Sequence, residues 1–152
     1  MKFDNFVKYA GSDGVILTAS DNSKWLGFGS VLMKVPEGKN VCGKVANMPE
    51  YMEDLIFNNS YSACELTDAF VPRCDSKPSE LRRVFSGSGR DINISNKAFG
   101  FIEKKDRTYI SSQVVYDDEV TTTYTALLIT DDYGEDDDLE FKMVVIEREV
   151  DR

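Results

Sequence analysis

Three long segments with the composition of β-strands fill the last third of the chain and constrain the fold more than any other feature. They read RTYISSQVVY at 107–116, VTTTYTALLIT at 120–130 and LEFKMVVIERE at 139–149. Each is rich in β-branched and aromatic residues, which fit a pleated, half-buried surface. Short polar turns separate the segments, so the pattern predicts an up-and-down antiparallel meander.

The remaining chain is predicted to be mostly strand as well. Residues 3–9 fit a strand or a short helix. Further strands are predicted where β-type residues lie between turn signals, at 14–20, 25–35, 40–46, 60–71, 91–95 and 98–104. Glycines in GFGS, residues 27–30, indicate a bulge or a close backbone approach within the strand at 25–35.

Two segments are predicted to be helices. In residues 47–57 the apolar side chains recur at helical spacing, with Asn47 as N-cap. In residues 76–87, Leu81, Val84 and Phe85 form the predicted buried edge. Ser76 is the expected cap of that second helix, and Gly87 is its expected stop.

These elements predict one α+β domain over residues 1–152, mostly antiparallel β-sheet with two short helices. A chain of 152 residues is long enough to bury a substantial core. Its apolar runs are too short to cross a bilayer, and the N-terminus has no signal-peptide pattern, so we expect a cytoplasmic protein without membrane contact. Cys42, Cys64 and Cys74 are widely spaced and fit reduced thiols better than a disulfide framework.

The chain contains no histidine. Nucleophilic mechanisms that need a histidine base, and histidine-ligated zinc, are therefore excluded. Carboxylate or metal-dependent catalysis stays open, but no catalytic motif and no cofactor are predicted. The composition favours a non-enzymatic protein.

The stretch DDYGEDDDLEF, residues 131–141, holds six acids within eight positions, in a chain of net charge −9. They are Asp131, Asp132, Glu135, Asp136, Asp137 and Asp138. An EF-hand spacing fails because Ile129 and Tyr133 occupy ligand positions. A looser cation site, a surface for a basic partner including DNA mimicry, and a solvated hairpin loop stay open, and the solvated loop is favoured. The meander places Lys104, Lys105 and Arg107 roughly 10 Å away on the same edge.

A segment of opposite sign lies between residues 73 and 90. Its cations are Arg73, Lys77, Arg82, Arg83 and Arg90. On the predicted helix, Arg82 and Arg83 lie away from the apolar edge, where they could contact phosphate or an acidic partner. A solvated helix face paired with neighbouring acids is the simpler interpretation. The glycines of FSGSGRD follow the predicted helix instead of opening one, so they indicate a helix end and turn and not a phosphate loop.

The segment order resembles that of DNA sliding-clamp domains. The residues that carry the resemblance are DGVILTASDNSKWLGFGSVLMKV, at 13–35, and VPRCDSKPSELRRVFSGSGRDINISNKAFGFIEKKDRTYISS, at 71–112. Clamps carry basic residues on inward helices, so the resemblance implies a DNA-facing role for Arg82 and Arg83. The chain departs from clamps in supplying a single domain, in its acidic first helix and in its final strands.

The sequence thus predicts a binding or assembly protein that acts through its surface, with another protein or copies of itself as partner. A clamp-like DNA-associated module and a carboxylate- or metal-dependent enzyme are the alternatives.

Overall fold

A computed structural model describes residues 1–72, 81–135 and 138–151. Its helices are α1 (Phe3–Ala10), α2 (Glu50–Glu53), which continues as a π-helical turn (Asp54–Asn58), and α3 (Asn96–Phe99). Its strands are β1 (Val15–Thr18), β2 (Lys24–Phe28), β3 (Val31–Lys34), β4 (Lys44–Asn47), β5 (Ser62–Ala63), β6 (Glu65–Pro72), β7 (Leu81–Gly87), β8 (Arg90–Ser95), β9 (Arg107–Asp117), β10 (Val120–Thr130) and β11 (Met143–Asp151). The α+β class and the mostly antiparallel sheet are confirmed.

Eight strands form one sheet in the order β4-β1-β2-β3-β11-β10-β9-β5, and β6, β7 and β8 form a second sheet. All neighbours in the large sheet are antiparallel except β1 and β4. The predicted meander is confirmed, because β10 pairs with β9 along its full length and with β11 along most of it.

The centre of the large sheet is buried on both faces. Leu127 and Leu128 are adjacent in β10 and point to opposite sides, yet neither is exposed to solvent. The Leu127 side packs against α1, α3 and the small sheet, which contributes Phe85 and Ile94. The Leu128 side packs against Leu55 of the π-helical turn. Consequently the strands carry long apolar runs where the two layers cover them.

The helix predicted at 47–57 is confirmed over most of its length, since α2 and the π-helical turn span residues 50–58. Its predicted cap is wrong, because Asn47 ends strand β4 and Pro49 occupies the N-cap position. Its apolar stripe faces the Leu128 side of the sheet, with Leu55 and Ile56 buried. The short segment at 3–9, left open between strand and helix, is α1.

The helix predicted at 76–87 is wrong over residues 81–87, which form strand β7; Ser76 and Pro78 lie outside the described residues. Phe85 faces the core and pairs with Ile92 of β8, while Arg83 pairs with Ile94 on the same face. Because a cation occupies that inward position, the sequence lacks the apolar alternation that identifies a strand. Gly87, the predicted helix stop, is instead the last residue of β7, and a tight hairpin turn follows it at Ser88 and Gly89, both with positive φ.

Other predicted strands also differ from the structure. Residues 60–71 form β5 and β6, which belong to different sheets. Residues 25–35 form two strands, because Gly29 adopts a φ of 61° and turns the chain between β2 and β3. Residues 98–104 are not a strand, since α3 begins at Asn96 with the Ser95 hydroxyl accepting a hydrogen bond from the Ala98 amide at 3.1 Å. This side-chain cap stabilises a helical turn in a segment whose composition alone suits a strand.

No helix within the described ranges is long and apolar enough to cross a membrane.

Candidate protein-interaction surface

The first predicted site, the basic segment, is largely engaged inside the protein. Arg82 donates to Asn93 through Nε, at 2.7 Å to the side-chain oxygen, and through Nη2, at 2.9 Å to the carbonyl oxygen. The same Nη2 forms an ion pair with Glu147 of β11. Only 19% of the Arg82 side chain is exposed, so this cation joins the small sheet to the large one.

Arg83 lies on the opposite face of β7 from Arg82, because successive side chains of a strand alternate. Its guanidinium is held between two rings, 4.6 Å from the centroid of Phe70 and 4.2 Å from that of Phe99. Arg90 is exposed at the start of β8. Arg73 and Lys77 lie outside the described residues. The described arginines therefore do not share one basic face.

The second predicted site, the acidic loop at 131–138, is held by its own neighbours at its base. Asp131 pairs with Lys142 at 2.7 Å. The hydrogen bond from Lys142 lowers the pKa of Asp131, and the same bond raises the pKa of Lys142. Asp132 accepts a hydrogen bond from the Gly134 amide at 2.8 Å, which closes the turn.

The predicted approach of the loop to the 104–107 turn is confirmed. Arg107 donates to the carbonyl oxygens of Asp132 and Gly134 at 3.3 and 3.4 Å, and the Tyr133 hydroxyl donates to the carbonyl of Lys105. Glu135 and Asp138 are exposed, while Asp136 and Asp137 are not among the described residues. In the part of the chain that the structure describes, no three acidic or cysteine side chains converge on a point that could hold a metal ion.

A third acidic region lies at the other end of the same three strands. We call it the distal arm, and define it as residues 113–117 of β9, 120–124 of β10 and 147–151 of β11. The neighbouring strands end before it: β5 pairs with β9 only at Tyr109 and Ile110, and β3 pairs with β11 only at 143–145. The arm therefore has two open edges, one on β9 and one on β11.

Large apolar side chains are exposed on this arm. Tyr116 is 78% exposed and Val114 is 41% exposed on the β9 edge, and Val150 is 43% exposed on the β11 edge. Strand edges with exposed apolar residues are templates for pairing with another chain.

The backbone of the β9 edge is open beyond residue 112. The carbonyl of Thr108 accepts from the Cys64 amide, and that of Ser112 accepts from the Asn59 side chain at 3.0 Å. Even-numbered residues of β9 thus point their backbone groups outward. In the described residues, no hydrogen bond reaches the outward N–H and C=O groups of Val114 and Tyr116.

A groove of about 400 Å³ runs along this edge. One wall is β9 from Gln113 to Tyr116, and the other is α2 with the π-helical turn, which contributes Glu50, Tyr51 and Asp54. The Tyr51 ring stacks on Tyr124 of β10 with centroids 4.0 Å apart, which fixes the helix against the arm. The groove is therefore framed by two elements packed on each other.

The surroundings of the groove are acidic. Glu50 is exposed and Asp54 is half-buried on the helical wall, and Asp117, Asp118 and Glu119 form the turn at the tip. Across the described residues, no lysine or arginine forms an ion pair with any of these five acids. Arg148 of β11 pairs with Tyr124 and is close enough to Tyr51 to act on it electrostatically, so it offsets part of this charge. Five acids against this one cation leave the groove with a net negative potential that favours a cationic ligand.

Two further cavities are lined by side chains that are less available for binding or catalysis. The first, of about 860 Å³, lies beside the acidic loop, and three of its four lysines already form ion pairs. Their ion pairs are Lys34–Glu140, Lys39–Asp4 and Lys142–Asp131. The second, of about 500 Å³, contains Cys64. Burial raises the pKa of the Cys64 thiol to about 11, so at neutral pH it is protonated and a poor nucleophile.

The sequence prediction missed the distal arm. One signal was present: the long segments at 107–116 and 120–130 meet at an acidic turn, Asp117 to Glu119. Comparison with protein-family models, curated proteins and solved structures finds no significant match.

Proposed function

We propose that this protein is a non-enzymatic binding protein that captures a polypeptide partner in the groove beside β9. The observation that carries the proposal is the coincidence, at one place, of an open strand edge, exposed Val114 and Tyr116, and a wall of acids. In the isolated protein, each of these features costs free energy or contributes none. Each contributes favourable free energy when a partner covers it.

A nucleic-acid partner fits this surface poorly. The described residues around the groove are acidic, and phosphate would be repelled by them. Arg82 and Arg83, which the clamp resemblance assigns to DNA, have internal contacts with Glu147 and with two phenylalanine rings. Freeing either arginine for phosphate would break those contacts.

Selection of displayed random twelve-residue peptides on the immobilised protein tests the proposal. The arm variant combines Glu50→Lys with Tyr116→Ser. Its control makes the same two changes in the acidic loop, Glu135→Lys with Tyr133→Ser, where Tyr133 is 65% exposed. We expect peptides enriched on the wild type to bind the arm variant roughly tenfold more weakly, equivalent to about 1.4 kcal/mol, and to bind the control normally.

Thermal unfolding of both variants establishes that each is folded. Enriched peptides that distinguish the loop variant but not the arm variant would overturn the proposal, as would a selection in which no peptide depends on the arm.

A further inference from the structure

We infer that the partner segment adds to the outer edge of β9 as an extra β-strand, and that its side chains alternate between basic and apolar. This inference rests on the proposed function and specifies how the arm binds. It concerns the residues 113–117 of β9 and the helical wall that carries Glu50 and Asp54.

The backbone of β9 supplies the first argument. Val114 and Tyr116 present their N–H and C=O groups outward, continuing a row that β5 and Asn59 already use at residues 108–112. An added strand would extend an edge on which the protein itself has begun to place hydrogen-bonding partners. Strand addition of this kind obtains its affinity from main-chain hydrogen bonds.

The two faces of the arm supply the second argument. Gln113, Val115 and Asp117 lie on one face of β9, and Val114 and Tyr116 on the other. The first face is the one on which α2 packs, because Tyr124, which pairs with Gln113, stacks on Tyr51. Side chains of an added strand would therefore meet acids on the helix side and Val114 and Tyr116 on the opposite side.

Alternation of the partner's side chains follows from this arrangement. On the helix side, Lys or Arg would lie near Glu50, Asp54 and Asp117. On the other side, apolar or aromatic residues would cover the exposed Val114 and Tyr116, as cross-strand neighbours do. A segment of about five residues spans the open edge.

A second copy of this chain fits less well. Two strands related by a twofold axis across this edge pair antiparallel, with Val115 opposite Val115 and Asp117 opposite Gln113. The acidic turn of each copy, Asp118 and Glu119, would then approach the helical wall of the other copy. Like charges so placed oppose association.

The probe is the peptide Lys-Val-Lys-Val-Lys-Val-Lys, titrated calorimetrically into the 152-residue protein. One comparison peptide has the same composition in blocks, Lys-Lys-Lys-Lys-Val-Val-Val. Another keeps the alternating sequence but carries N-methyl groups on every second amide, which removes hydrogen bonds while retaining charge. We expect both to bind roughly tenfold more weakly than the probe.

Matched proline variants test the same point from the protein side. Val114→Pro removes an outward N–H on the β9 edge, and Val150→Pro does so on the β11 edge, where the valine is similarly exposed. Proline is tolerated where the edge N–H is unpaired. We expect Val114→Pro to weaken probe binding roughly tenfold and Val150→Pro to change it less than about twofold. If the Val114→Pro variant does not fold, the comparison of the methylated with the unmethylated peptide tests strand addition by itself.

Equal binding of the methylated and unmethylated peptides would overturn strand addition, while loss of binding in the Glu50→Lys and Tyr116→Ser variant would still support the arm as the site. Absence of probe binding would overturn the alternating chemistry, and the peptide selection would then decide separately whether the arm binds polypeptides. A dimer in light scattering that Val114→Pro dissociates would also overturn the inference, because the occupant would be a second copy.

Discussion

The acidic loop at 131–138 and the distal arm lie at opposite ends of the same three strands, and they use negative charge differently. The loop's base is neutralised by Lys142 and held by the Asp132 turn. The arm's acids, around Glu50 and Asp117, have no such partners among the described residues, and they border an open strand edge. The density of charge in the sequence is therefore a poor guide to a binding surface, since the neighbours decide whether that charge is available.

Replacing Thr130 should give the largest difference between the two regions. Its buried hydroxyl donates to the carbonyl of Glu140 at 2.6 Å and accepts from the amide of Asp132 at 2.9 Å, which holds the base of the loop. We expect Thr130→Val to lower the free energy of unfolding by about 1–3 kcal/mol, because two partly buried backbone groups lose their partners. Urea denaturation measures this.

Thr123→Val makes the same change on the same strand, within the arm, and serves as the control. The expected change is less than about 0.5 kcal/mol, since valine suits a half-buried strand position. Equal losses in the two variants would contradict the distinction between loop and arm.

Neutralising two acids at once should give the second-largest difference in stability between the loop and the arm. Asp131→Asn with Asp132→Asn weakens the Lys142 pair and the turn, and we expect about 1–2 kcal/mol of destabilisation. Asp117→Asn with Asp118→Asn at the arm tip should change stability by less than about 0.5 kcal/mol, because those acids have no described cation to lose. The midpoints of thermal unfolding give the comparison, and a more damaging change at the arm would refute it.

The pH dependence of the free energy of unfolding should also reflect the Asp131–Lys142 pair at the base of the loop. The pKa of Asp131 is lowered in the folded protein, so its contribution is present above the ordinary value of 3.8 and is lost as pH falls below it. The pKa of Lys142 is raised, so its contribution is present below the ordinary value of 10.5 and is lost above it.

Both side chains are more than a third exposed, so we expect the effect to be below about 1 kcal/mol. Unfolding measured at pH 3, 4 and 6 should show a smaller acid loss in Lys142→Met than in the wild type. Identical profiles for the two proteins would remove Lys142 as the cause.

The smallest expected effect concerns the arm's tip. Asp118 has a φ of 47°, a conformation that glycine adopts without steric cost. Asp118→Gly should therefore raise the free energy of unfolding by about 0.5 kcal/mol, whereas Asp117→Gly, within the strand, should lower it. Chemical denaturation of the two variants checks the sign, and a loss of stability in Asp118→Gly would show that the turn is not limited by this strain.

The sequence predicted strands most accurately where the composition of a segment and the turns that flank it agreed. The segments at 107–116 and 120–130 became β9 and β10 with nearly the predicted bounds, because β-branched residues fill them and polar turns end them. It failed at residues 81–87, where Arg83 sits at an inward position between two phenylalanine rings. An arginine counts as polar in a hydrophobicity pattern. Because Arg83 occupies an inward position, the alternation of apolar and polar residues that identifies a strand is absent there.

The candidate site was less predictable than the fold. The sequence pointed to the most conspicuous charges, at 131–138 and 73–90, but contacts with other segments engage Asp131, Arg82 and Arg83. Arg82 and Glu147 are 65 positions apart, and so are invisible to any local pattern. The groove likewise joins residues near 50 to residues near 115, and only tertiary packing brings them together.

By itself, the sequence determined the α+β class, the antiparallel meander and the absence of histidine-based chemistry, because these depend on local periodicity and on composition. The tertiary structure decided which strands received a neighbour along their whole length and which charges received a partner. Hydrogen bonds and ion pairs form only at separations of a few ångströms, so the availability of a backbone group or a charge depends on contacts between distant segments. That is why the outer edge of β9, unremarkable in the sequence, is the surface to which the structure directs a test of function.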